Sequence, residues 1–209
     1  MDNSKFFSIQ LKTMSLPDFY ILDCDIPEAS NGAATMEIHN AFRVGNIRLW
    51  SSGIRHEKEV PVPIEIEYET FHGYEGPPID LLDVGIPIMS EKLAEALLSF
   101  GVKNIDFYDA ILTHKVTRAT YKFKAFNVIG LVAATDMNKS NWASYDGDPT
   151  INVSFKKLVL KPSSGTEPLI FRLAENIKAL MIRSDLRDHL VKSGFGHLKY
   201  KNPKDWIQL

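Results

Sequence analysis

Residues 64–69, "IEIEYE", alternate an apolar side chain with a carboxylate three times. That period of two belongs to a β-strand with one face in a core and the other outside it. The run therefore predicts a strand with Ile64, Ile66 and Tyr68 inward. Glu65, Glu67 and Glu69 then share the outward face, roughly 7 Å apart along the strand. Three like charges in a row need an answer. An internal answer is available in "TYKFKAF" (120–126), where Lys122 and Lys124 share a face and could pair across strands with the acids. An external answer is a basic partner steered to the acidic strand. The sequence leaves both open.

Other runs carry strand character: 19–26, 46–53, 104–112, 119–132, 151–161, 168–176 and 197–202. The period becomes helical at "SEKLAEALLSFG" (90–101), with Leu93, Ala94, Leu97 and Leu98 on one side. Ser90 is suited to the N-cap and Gly101 to the position after the C-cap. A second helix is expected over 184–194. Sequential strands outnumber helices, so the expected fold class is α+β with mostly antiparallel sheets and two short helices.

The 209 residues are expected to form a single domain with an acidic N-terminal part, 1–80. Residues 1–100 hold 7 Lys/Arg against 16 Asp/Glu, a net −9, and residues 101–209 hold 17 against 10, a net +7. The halves could neutralise each other, or the asymmetry could mark a charged partner. No apolar run reaches the roughly 18–20 residues of a membrane span. The N-terminus lacks a secretory pattern and there is one cysteine, so no membrane partner and a cytoplasmic location are expected.

Catalytic and ligand-binding signatures are weak. Cys24 lies between Asp23 and Asp25, which disfavour a thiolate. No two histidines have the i, i+4 spacing of a zinc helix. "DMNKSN" (136–141) starts like a calcium loop, but Asn141 stands where the glycine belongs and Gly147 where the glutamate belongs. "SGFGH" (193–197) follows a helix, whereas a phosphate cradle precedes one. No catalytic residue, metal or cofactor is expected. The lysines of the second half, interleaved with Tyr121, Phe123, Phe155 and Tyr200, suit nucleic acid by type, but a pI near 6.3 argues against a dedicated nucleic-acid surface.

Residues 88–107 laid over 181–200, an offset of 93, place Leu93 on Leu186, Leu97 on Leu190, Gly101 on Gly194 and Phe107 on Tyr200. This predicts a pseudo-repeated helix-strand unit; shared helix grammar is the competing explanation. That unit, "YKFKAFNVIGLVAATDMNKS" (121–140) and "PLIFRLAEN…LMIRSDLRDHLVKSGFGHLKY" (168–200) together resemble a family of bacterial immunity proteins encoded beside polymorphic toxins in interbacterial competition. The resemblance spans residues 80–200. It implies a non-enzymatic protein that neutralises a cognate toxin, encoded next to it, by stoichiometric contact.

The acidic strand and the aromatic loop after it form the expected partner-binding face: Glu65, Glu67, Glu69, Phe71, His72, Tyr74 and Glu75. Two alternatives remain. One is a hydrolase-like enzyme using His72 or His39 with nearby acids. The other is a nucleic-acid-binding module on the basic half. The oligomeric state is left open.

Overall fold

A computed structural model of the chain describes residues 19–23, 36–39, 47–70, 76–144, 147 and 153–207. Within them the architecture is α+β, with mostly antiparallel pairing. One sheet has six strands in the order β2-β3-β6-β7-β5-β4. These are β2 (Met36–Ile38), β3 (Ile64–Thr70), β4 (Leu81–Leu82), β5 (Ile88–Ser90), β6 (Ile105–His114) and β7 (Thr120–Val128). Only β3 and β6 run parallel within it. A five-stranded sheet has the order β13-β1-β12-β11-β8. It comprises β1 (Phe19–Asp23), β8 (Leu131–Val132), β11 (Ile170–Leu173), β12 (Leu180–Arg183) and β13 (Lys199–Lys201), with only β8 and β11 parallel. Strands β9 (Asn141–Ala143) and β10 (Ser154–Lys157) form a small antiparallel pair.

Helix α1 (Glu91–Ser99) starts where the sequence predicts. The Ser90 hydroxyl accepts from the Leu93 N–H at 3.3 Å, and Gly101 takes φ = 99° after the last turn. Left-handed backbone of that kind satisfies the carbonyls at a helix end, and glycine adopts it without a Cβ penalty. Helix α2 (Ser184–Leu190) is shorter than the expected 184–194; residues 191–195 form a wider π-type turn that Gly194 breaks at φ = 97°.

The apolar periods sort into three clusters. Leu93 and Leu97 of α1 and Leu186 and Leu190 of α2 join Met89 and Phe126 of the six-stranded sheet and Ile170 and Ile182 of the five-stranded sheet. This cluster ties both sheets to both helices. A second cluster lies on the opposite face of the six-stranded sheet, where Ile64, Ile66 and Tyr68 meet Leu112, Phe123 and Trp50. A third backs the five-stranded sheet with Phe155, Phe171, Met181 and Trp206.

Several expected elements differ. The run at 46–53 is not a strand: Ile47–Ser51 is a 3-10 turn that seats Trp50 in the second cluster. The run at 119–132 is two strands, because Gly130 at φ = 95° turns the chain from one sheet to the other. The run at 151–161 keeps only Ser154–Lys157 as a strand, with an isolated bridge at Leu160. β3 begins at Ile64, directly after the cis Val62–Pro63 bond.

Candidate functional site

The alternation of β3 appears as burial. Ile64, Ile66 and Tyr68 are buried, Glu65 is exposed, and Glu67 and Glu69 are half-buried. The lysine ladder is not their neighbour. β6 lies between β3 and β7, so Glu65 faces Ile111 and Glu67 faces Thr113, while Lys122 and Lys124 stand one strand further away. Lys124 is held by Asp109 and Glu91. The proposed cross-strand Glu–Lys ladder is therefore corrected: the charges match in period but not in strand order.

Among the described residues, two loop cations meet the acids. Lys115 Nζ reaches Glu69 Oε1 at 3.0 Å, and Arg118 Nη1 lies 3.8 Å from Glu67 Oε1. Both belong to the turn between β6 and β7. The His114 ring nitrogen Nδ1 accepts the Val116 and Thr117 N–H groups at 3.2 and 3.1 Å and holds that turn, with Arg118 at φ = 61°. On the other side β2 places Glu37 across from Glu69, and His39 Nε2 lies 3.8 Å from Glu69 Oε2. The hydrogen bond from Lys115 holds the Glu69 carboxyl below its ordinary range, and Glu69 in turn raises the Lys115 ammonium. The result is a sheet face that carries four carboxylates, Glu37, Glu65, Glu67 and Glu69, with Lys115 and Arg118 at its rim. Of the other expected contact residues, Phe71, His72, Tyr74 and Glu75 lie outside the described residues, as does Cys24.

The remaining sequence candidates serve local structure. Asp136 pairs with Lys139 at 2.8 Å, which lowers its pKa. Among the described residues no group of three or more His, Cys, Asp or Glu side chains is arranged to hold a metal. No described helix is long and apolar enough to cross a membrane.

Sequence reasoning missed a cleft at the N-terminal end of β3. It measures about 550 Å³ and is lined by Leu49, Trp50, Ile54, His56, Glu57 and Glu59, among others. Three rings meet edge-to-face there: Trp50–His56 at 4.5 Å, Trp50–Tyr108 at 5.3 Å and His56–Tyr108 at 5.5 Å. Burial lowers the His56 pKa, opposed by the nearby Asp106 carboxylate, and burial raises the Tyr108 hydroxyl. The His56 Nε2 atom is buried without a hydrogen-bond partner. Arg55 lies 3.4 Å from Asp106. A second cleft, about 410 Å³, lies along the same 56–60 segment against Phe107, Tyr108 and Asp109. Its only sequence signal was a tryptophan and a histidine either side of Gly53.

No protein-family model matches this chain, and no curated protein matches it significantly.

Proposed function

We propose that this chain is an immunity protein that binds a cognate toxin, encoded beside it, in the bacterial cytoplasm and neutralises it by one-to-one contact. The observation that carries the reading is the acidic face of β3. Glu65, Glu67 and Glu69 point out of the sheet beside Glu37, and among the described residues the exposed loop cations Lys115 and Arg118 pair with Glu69 and Glu67. Such a face is suited to a toxin with a basic cleft, through steered encounter and charge complementarity. Phe71 and Tyr74, which follow β3 in the sequence, are the aromatic residues of the proposed face. The family resemblance over residues 80–200 points the same way.

The reading includes the pseudo-repeat. Its support is a shared strand order: β5 and β6 flank β7 around α1, while β12 and β13 flank β1 around α2, each pairing antiparallel. Leu93, Leu97, Leu186 and Leu190 are all fully buried in one cluster.

An enzyme is the second reading, and one observation favours it. His197 Nε2 and Asp80 Oδ2 lie 2.8 Å apart, the geometry of an oriented base. Among the described residues no hydroxyl or thiol hydrogen-bonds to His197.

The test is co-expression with the neighbouring reading frame in a heterologous bacterium. A toxic neighbour, rescue by this chain, and a purified one-to-one complex are expected. Glu67→Lys and Glu69→Lys combined with Tyr74→Ala should weaken that complex. A harmless neighbour, or unchanged affinity in the folded variant, would overturn the reading.

A further inference from the structure

We infer that the cleft beside His56 is a socket for one cationic side chain, a lysine or an arginine, of the protein partner. This deepens the proposed function and rests on it. The cleft lies at the start of the acidic strand. Along the chain, Glu57, Glu59, Glu65, Glu67 and Glu69 fall within thirteen residues. The Trp50 and Tyr108 rings of the cleft lie on the Ile64, Ile66 and Tyr68 side of the sheet, so a basic partner reaches it round the start of β3, where Glu57 and Glu59 line the mouth.

The walls suit an aliphatic stem. Leu49 is 49% exposed and Ile54 66% exposed, and both line a concave site rather than standing alone on a convex surface. Exposed apolar side chains gathered round a cleft mark a place where something is bound. Lysine and arginine carry long apolar stems that cover such walls while the charged head reaches polar groups.

The mouth suits the head. Glu57 and Glu59 line it, and among the described residues neither has an ion pair. Lys58 stands between them, and the Arg55 charge is matched by Asp106, so the unmatched charge of the mouth is negative. The floor adds an aromatic ring with a polar edge. His56 lines the cleft, its buried Nε2 has no hydrogen-bond partner, and the rings of Trp50 and Tyr108 approach it edge-to-face. Burial keeps the ring neutral near pH 7, so it does not repel the cation. A pocket filled by one side chain is a common form of interface anchor.

The full-length protein is titrated with Nα-acetyl-arginine amide and watched through the His56 ring signals by NMR, assigned by their loss in His56→Gln. Nα-acetyl-norleucine amide and Nα-acetyl-glutamate amide are the controls. Saturable shifts with the arginine probe are expected, with binding about tenfold weaker for norleucine and in Glu57→Gln/Glu59→Gln, the loss typical of a desolvated charged contact. No shift with any probe, or equal response to norleucine or glutamate, overturns the socket. This experiment needs no toxin, so it decides the socket even where the rescue test fails. In the toxin complex, Glu57→Gln/Glu59→Gln should lower affinity about tenfold while melting stays unchanged. Wild-type affinity in that variant would overturn the socket and leave the acidic-face reading standing.

Discussion

Arg172 and Asp83, 89 residues apart, form a two-pronged ion pair. Nη2 donates to Oδ1 at 2.7 Å and Nη1 to Oδ2 at 2.9 Å, with the side chains 1% and 9% exposed. Arg172 lies on β11 of the five-stranded sheet and Asp83 just after β4 of the six-stranded sheet, so the pair joins the two. Nη1 also donates to the Ile177 carbonyl at 2.9 Å, while Nε has no partner. Charges this deep cost desolvation, and their attraction roughly offsets it. Removing one member strands the other. Asp83→Ala should therefore lower unfolding free energy by about 3–5 kcal/mol in urea melts, while Arg172→Met with Asp83→Leu should recover most of that. A mild Asp83→Ala effect would show that the sheets are held by the apolar cluster alone.

Gly53 should be less replaceable than Gly101. Both have positive φ, 75° and 99°, but a Cβ on Gly53 would meet Leu131 Cγ at 2.8 Å and the Gly130 carbonyl carbon at 3.2 Å. A Cβ on Gly101 would meet nothing within 4 Å. Gly101→Ala should cost about 1–2 kcal/mol of backbone strain. Gly53→Ala should cost at least about 1 kcal/mol more, from overpacking where the chain crosses between sheets. Paired thermal melts compare them directly.

The sequence made local features legible and pairing illegible, and β3 shows both. Its alternation set which side chains enter the core, because a pleated strand leaves no other choice. It said nothing of its neighbour. β3 pairs in parallel with β6, and that strand separates the acids from the lysines of β7. Matching charge periods constrain register, not strand order. Ser90 and Gly101 marked α1 because caps are local chemistry. The turn at 47–51 was misread because a 3-10 turn seats Trp50 in the core and leaves Leu49 exposed, with no strand's period between them. The cleft was invisible for a related reason: Tyr108 reaches Trp50 and His56 only through the fold.

Acid should weaken the fold through two identifiable groups. His56 is lowered below 6.5 in the folded chain by burial. The unfolded chain then binds a proton at higher pH than the folded chain, so stability is full above 6.5 and falls as pH drops through that window. In His56→Gln the dependence between pH 7 and 5 should flatten. Glu167 is brought down from 4.5 to about 2, first by the Ser164 N–H at 2.8 Å and then by the Ser163 hydroxyl at 2.7 Å. Its contribution is present above pH 4.5 and is lost as pH falls toward about 2. A side-chain NMR titration checks it: an ordinary carboxyl pKa for Glu167 would mean that the 163–167 turn is not held in solution.

The loop cations discriminate between the two answers to the acidic strand. Lys115 and Arg118 partly mask Glu69 and Glu67. If the acids exist for these contacts, removing the cations leaves uncompensated repulsion between Glu37 and Glu69, which face each other across β2 and β3, and the melting temperature should fall. If the acids exist for a basic partner, the cations only screen them, and removal strengthens steering. Arg118 is well placed for this test, since its φ of 61° suits glycine, so Arg118→Gly removes a charge where the backbone accepts the change. Lys115→Gln with Arg118→Gly should raise the association rate with the toxin about threefold to tenfold at low salt, with the gain vanishing as salt rises. An unchanged rate together with a lower melting temperature would make the row of acids a structural device and move the search for the binding face elsewhere on the molecule.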